Sequence, residues 1–149
     1  MRALPRALDC GMKKSKNSRG SKTERTLAPG TPVVIESQSP STHYSVVFED
    51  DGESGYFYGL DTRRKNQPIL AGLHIYTAGK NVGLPSPSAV HIEWSSDGGR
   101  SVLLINAHPH AVFDFVGRRG YCRTNFPAPA TDWTEHDYAW EEQAMAWFA

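Results

Sequence analysis

The chain has 149 residues, 39% of them hydrophobic, with two cysteines and 16 Lys/Arg against 16 Asp/Glu. That length suits one domain around one core, two cysteines allow only one bridge and, with Cys10 in a segment that reads as unstructured, imply neither a disulfide framework nor a zinc site, and no apolar run approaches a membrane span. The zero net charge hides an asymmetry: residues 1–31 hold eight Lys/Arg against Asp9 and Glu24, while residues 32–149 hold eight against fourteen Asp/Glu, near +6 and −6; a negative folded part argues against nucleic acid as its ligand.

Residues 1–31 contain scarcely any large apolar side chain after Leu8 and are rich in Lys, Arg, Ser, Gly and Thr. Such a segment buries too little surface to offset the entropy of ordering, so a disordered basic tail is expected. A basic arm for nucleic acid or an anionic membrane is the functional alternative, and Met12 is an alternative start of translation. With no leader-like apolar run, the expectation is a cytoplasmic protein with free thiols.

From Pro32 a single β-rich domain is expected to run to residue 149. Val33 to Glu36 reads as a first strand. In His43 to Asp50, Tyr44, Val46 and Phe48 alternate with Ser45, Val47 and Glu49, and the turn Asp50-Asp51-Gly52-Glu53 leads into Gly55 to Asp61, a hairpin signature. Ile69 to Thr77 is ambiguous between strand and helix; the β-branched and aromatic LHIYT favours a strand over Leu73 to Thr77. Val90, Ile92 and Trp94 then alternate with His91, Glu93 and Ser95. SVLLIN, at 101–106, is apolar on both faces and reads as a central strand.

His110 to Val116 sends Phe113 and Phe115 to the core, with His110, Val112 and Asp114 on the other face, and Gly117-Arg118-Arg119-Gly120 closes a further hairpin. Past Pro127 and Pro129, Thr134 with Asp137 resembles a capping box, and Trp133 with Tyr138 a hydrophobic staple, predicting a helix from about Glu135 to Phe148. The fold class expected is α+β: an antiparallel meander of six to eight strands, strongly twisted or partly closed, with one C-terminal helix packed on it.

At VVFEDDGESGYFYGLD, LHIY and PHAVFDFVGRRGYCRTNFP the chain resembles a bacterial family known as domain of unknown function 2251, from about Ser41 to Pro127. The resemblance implies no activity. It singles out Glu49, Asp50, Asp51, Gly52, Gly55, Tyr56, His110, Asp114, Arg119, Gly120, Tyr121, Cys122 and Arg123. In that family an aromatic can stand at the position of His108, and the basic tail lies outside the shared pattern.

Three constellations could carry chemistry. Were His74, His91 with Glu93, and His110 with Asp114 to share one side, imidazole and carboxylate could transfer a proton or hold a metal; otherwise they are solvated side chains. His108 and His110 have the spacing of two ligands on one strand face, which Pro109 disturbs. Cys122, between arginines that favour a thiolate, is a candidate nucleophile or a buried small hydrophobe. Arg118, Arg119 and Arg123 with Tyr121 suit a carboxylate or phosphate on a ligand or partner, or else pair internally with Glu49, Asp50 and Asp51.

Phosphate-loop, dinucleotide, GxSxG and paired-Cys patterns do not occur, so no cofactor and no metal is expected, and no catalytic residue is assigned. The function expected is a small intracellular module that binds a protein, of immunity or regulatory type, through the acidic turn, the exposed sheet face and the arginine hairpin. The alternative is a small-ligand binder or enzyme using His110, Asp114 and neighbouring histidines, with or without a metal. The two differ in surface: an enzyme needs a concave site where His110 and Asp114 converge, a binding module a flatter patch.

Overall fold

The computed structural model describes residues 22–79, 82–124, 133–134 and 136–149. Among these described residues nine strands form two antiparallel sheets. The five-stranded sheet has the order β1 (Lys22–Leu27), β6 (Ser88–Trp94), β7 (Arg100–Ile105), β8 (His108–Asp114), β9 (Arg119–Cys122). The four-stranded sheet is the meander β2 (Val33–Gln38), β3 (Tyr44–Asp50), β4 (Ser54–Asp61), β5 (Ile69–Thr77). The chain changes sheet twice, between β1 and β2 and again between β5 and β6.

Period-two alternation makes the layers. Ile35, Val46, Phe48, Phe57 and Leu73 of the smaller sheet meet Val90, Ile92, Leu103, Ala111 and Phe113 of the larger in one core. Phe57 lies 5.3 Å from Phe113, and Tyr44 stacks on Phe115 at 4.4 Å. Aromatic pairs of this kind add to the stabilisation from burial itself. β7, apolar on both sides in sequence, is the middle strand of its sheet, with Val102 and Leu103 both fully buried.

The sheets touch along both edges. At one, Thr23 donates from β1 to Ser37 Oγ of β2 at 3.1 Å, and the Trp94 indole donates to the same oxygen at 2.9 Å. At the other, the Cys122 thiol and the Thr124 hydroxyl both donate to the His74 carbonyl, at 3.1 and 2.7 Å. The expected single sheet is thus two, closed against each other.

Two boundaries differ from the sequence reading. β1 forms inside the segment read as tail, because its backbone pairs with the β6 edge from Lys22↔Glu93 to Leu27↔Ser88 and its Leu27 is fully buried. Residues 1–21 lie outside the described residues. The C-terminal helix is a 3-10 helix, Glu142–Phe148, not an α-helix starting near 135. Upstream of it the chain bonds to the sheet: Cys122 N–H donates to the Tyr138 carbonyl at 2.8 Å, and Ala139 bridges Cys122. Thr134 and Asp137 accept from the N–H groups two residues ahead, turning the chain locally rather than starting a helix. Among the described residues no helix is long and apolar enough to cross a membrane.

Candidate functional site

Each sheet has an outer face, and the two are treated differently. On the five-stranded sheet, Val102, Val112 and Tyr121 are covered by the C-terminal segment through Trp140, Ala144, Met145, Trp147 and Phe148. Three arginines fasten that cover, each against a ring and a carboxylate. Arg100 lies 4.6 Å from the centre of the Trp147 ring and pairs with Asp114 at 3.1 Å and Asp97 at 3.2 Å. Arg119 lies over Tyr121 at 5.2 Å and reaches Glu141 at 3.6 Å. Arg123 lies over Trp140 at 4.3 Å, donates to the Pro109 carbonyl at 2.6 Å and pairs with Glu142 at 2.9 Å. Guanidinium suits this use because its planar face stacks while its edge donates.

The arginine hairpin therefore pairs internally, with Glu141 and Glu142 and not with the acidic turn. Arg118, at positive φ, donates to the Trp133 carbonyl at 2.8 Å. Arg100 was not singled out in the sequence; its register opposite Asp114, itself opposite Arg119, is the signal that finds it.

His110 and Asp114 do not meet. Asp114, almost fully buried, accepts from Arg100 and from the Gly117 N–H at 2.9 Å. His110 sits in a bulge, since Leu103 pairs with Ala111 and Leu104 with Pro109, leaving it no partner across the ladder. Its ring stands edge-on to His108 at 5.2 Å. Burial, with His108 and Arg123 nearby, pushes its pKa down to about 4. His91 pairs with Glu24 at 3.2 Å, whereas His74 projects from the other sheet, so the three histidine positions do not share one side. Among the described residues no group of three or more His, Cys, Asp or Glu could hold a metal ion. Cys122 is buried in the main core, its thiol hydrogen-bonded.

Asp50 also turns inward. Its carboxylate, 1% exposed, accepts from Tyr76 at 2.6 Å, from the Gly30 N–H at 2.7 Å and from the Gly52 N–H at 2.8 Å. Asp51 caps its own turn, accepting from the N–H groups of Glu53 and Ser54. Only Glu49 of the acidic trio belongs to an outer sheet face.

That face is the outer side of the four-stranded sheet. The register sets three rows across it: Val34–Glu49–Tyr56–His74, Glu36–Val47–Tyr58–Gly72 and Gln38–Ser45–Leu60–Ile69. Gly72 is where the Tyr58 ring lies down, since a Cβ there would stand 2.9 Å from its edge. In these rows Glu36 Oε2 and the hydroxyl of Ser45, a residue 0% exposed, are buried with no hydrogen-bond partner among the described residues. Burial pushes the Glu36 carboxyl above its ordinary value and the His74 imidazole below its own. Beside the first row opens a cleft of about 550 Å³ lined by Pro32, Val33, Val34, Glu49, Asp50 and Asp51. Neither Glu36 nor Ser45 stood out in the sequence, where each reads as the polar half of an alternating strand.

The comparisons agree on a family. A profile described as an uncharacterized protein conserved in bacteria, domain of unknown function 2251, matches residues 27–149. An uncharacterized protein of Haemophilus influenzae is 39% identical over 127 residues, covering 83% of this chain and 78% of that one. No solved structure matches. With β2 to β9 and the C-terminal cover inside the matched span, the chain belongs to this bacterial family of domain of unknown function 2251.

Proposed function

We propose that the domain is a protein-binding module, of regulatory or immunity type and acting in the cytoplasm, whose working surface is the outer face of the four-stranded sheet. The observation that carries this reading is the pair Glu36 and Ser45. A buried carboxylate oxygen and a buried hydroxyl with no hydrogen-bond partner among the described residues cost free energy that a donor brought to them recovers. Val47, Tyr58 and Leu60 in these rows are buried, and Val34, Tyr56 and Ile69 packed against them are partly buried, so apolar contact is offered at the rim of the face. The other outer face is already occupied by the C-terminal segment, and the arginines expected to meet a partner are engaged in holding it. Glu49 and Asp51, at the cleft, extend the acidic character of the surface.

The test compares tagged full-length protein with Glu36→Lys and Val34→Arg, each checked for native unfolding behaviour, and with Glu24→Lys on β1 as control. Proteins recovered from the source bacterium with wild type and control are expected to fall at least tenfold with the two face variants. The same proteins recovered with all four, or none with any, would overturn the reading.

A further inference from the structure

We infer that one end of the sandwich, where the β4–β5 loop carries Arg63, Arg64 and Lys65, docks an acidic segment of a partner protein that also brings an apolar side chain to Val116. This surface is separate from the sheet face proposed above, and the inference does not depend on that reading.

Hydrogen bonds join four loops into one surface at this end. Thr62 donates from its N–H and its hydroxyl to the His43 carbonyl, at 3.0 and 2.8 Å, which fastens the β4–β5 loop to the β2–β3 loop. Ser41 and Thr42 of the latter donate to the carbonyls of Asp97 and Gly98 in the β6–β7 turn, at 3.0 and 3.2 Å. That turn in its own right accepts from the Phe115 N–H through the Gly99 carbonyl at 3.0 Å, which brings in the β8–β9 turn and with it Val116. Among the described residues Val116 is the exposed large hydrophobic, at 64%.

Charge selects the partner. Residues 32–149 hold eight Lys/Arg against fourteen Asp/Glu, yet three of the eight stand consecutively in this one loop. Arg100, Arg119 and Arg123 are engaged by the C-terminal cover, and Asp97, the next carboxylate along the surface, is engaged by Arg100. Asp61 gives the loop its shape: it accepts from the Arg63 guanidinium at two points, 3.0 and 2.9 Å, and from the Arg63 N–H at 3.0 Å, while its carbonyl accepts from the Arg64 N–H at 3.0 Å. One carboxylate thus stands against three cations, and Arg64 and Lys65, both exposed, make no hydrogen bond or ion pair among the described residues. Carboxylates on a partner are what such cations recruit, and a loop already shaped by Asp61 needs little further ordering to receive them. An apolar contact at Val116 fits the same partner, since interfaces between proteins join apolar contact to a charged rim. Nucleic acid fits less well, because a phosphate backbone rewards many contacts, whereas three cations on a part with a net charge near −6 supply few.

The experiment uses the full chain and fluorescence anisotropy with two labelled probes, a glutamate peptide interrupted by leucines and the same peptide with alanine in their place. Wild type is expected to bind the leucine peptide at least threefold more tightly than the alanine peptide, and 0.5 M salt to weaken both severalfold, because exposed pairs are screened. Arg64→Glu with Lys65→Glu should lose at least tenfold for either peptide, Arg64→Gln with Lys65→Gln at least threefold, and Val116→Ser should remove the preference for leucine. These side chains are exposed, so all the variants should unfold at the wild-type temperature. Arg25→Glu, which replaces an exposed cation on β1, should bind as wild type does. Equal binding by wild type and the double charge reversal, an equal loss in Arg25→Glu, no preference for leucine, or a DNA strand of equal charge that displaces the probe as well as unlabelled peptide does would each overturn the inference.

Discussion

Tyr76 donates its phenolic proton to Asp50 at 2.6 Å inside the protein, and through that carboxylate one side chain ties the β1–β2 turn, the β3–β4 turn and β5 together. Burial, then the bond to Asp50, holds the Tyr76 phenol well above its ordinary pKa, so it remains a donor at any pH the fold survives. Tyr76→Phe should cost about 1–2 kcal/mol and Asp50→Ala about 3 kcal/mol, since the latter orphans a phenol and two backbone donors. Urea unfolding measures both. A Tyr76→Phe variant as stable as wild type would show that the bond adds nothing net.

Gly55 is held small by the same tyrosine. A Cβ at residue 55 would stand 2.7 Å from Cζ of Tyr76, a ring fixed by Asp50 and by its place in the core. Gly55→Ala should therefore lose about 1–3 kcal/mol through overpacking, although β-strands ordinarily accept alanine. Gly79→Ala is the contrast: a Cβ there has nothing within 4 Å, and φ of +76° alone sets a loss of about 1 kcal/mol.

The C-terminal cover should come away as a unit. Removing residues 142–149 uncovers Val102, Val112 and Tyr121, so binding of a hydrophobic dye should rise several-fold and the midpoint of thermal unfolding should fall. Arg123→Ala, which loses the Trp140 stacking and the Glu142 pair, should cost about 1 kcal/mol. Arg123→Lys should recover only part of that, because an ammonium cannot stack and donate along its edge at once. Full recovery would mean that charge alone holds the segment.

Acid should weaken the fold in a window set by His110. Its folded pKa of about 4 lies below the ordinary 6.5, so the folded protein takes up a proton less readily than the unfolded chain. The stability this contributes is fully present above pH 6.5 and is lost as pH falls towards 4. His108 and Arg123 face the ring and add cationic repulsion, while Glu142 is engaged by Arg123. His74, shifted in the same direction by burial, acts with the same sign. His110→Gln should flatten the slope of unfolding free energy against pH between 6.5 and 4; an unchanged slope would remove His110 as its source.

Much of the strand plan was legible because strands and tight turns are encoded over few residues. Phe113 and Phe115 face the core, Val90, Ile92 and Trp94 share one side of β6, and SVLL forms the central strand, all as alternation indicated. The hairpin at Asp50 to Ser54 turns through Gly52 at φ +98°, as its composition required. β1 was not legible, since KTERTL offers only one buried apolar residue and owes its strand to pairing with β6, more than sixty positions away. The C-terminal helix failed for a related reason: the cap-like residues were present, but the edge of β9 captured the backbone at Tyr138 and Ala139.

The candidate site was less legible than the fold. Asp50 and Asp51 look alike in sequence, yet one is a buried anchor and the other a turn cap. Arginine next to glycine signals a turn but not whether its charge is used inside or outside. Glu36 and Ser45 carry no local mark; their burial arises only in the folded chain.

By itself the sequence determined an antiparallel β protein, its hairpins, most of its inward-facing side chains and its family, because alternation, turn chemistry and motif strings are local properties. Only the tertiary structure decided that the strands divide into two sheets, that the arginines clasp the C-terminus and that one outer face holds a buried carboxylate oxygen with no hydrogen-bond partner among the described residues. Those outcomes depend on contacts between residues far apart in the chain, whose choice among competing partners is settled by burial and hydrogen bonding in the assembled core.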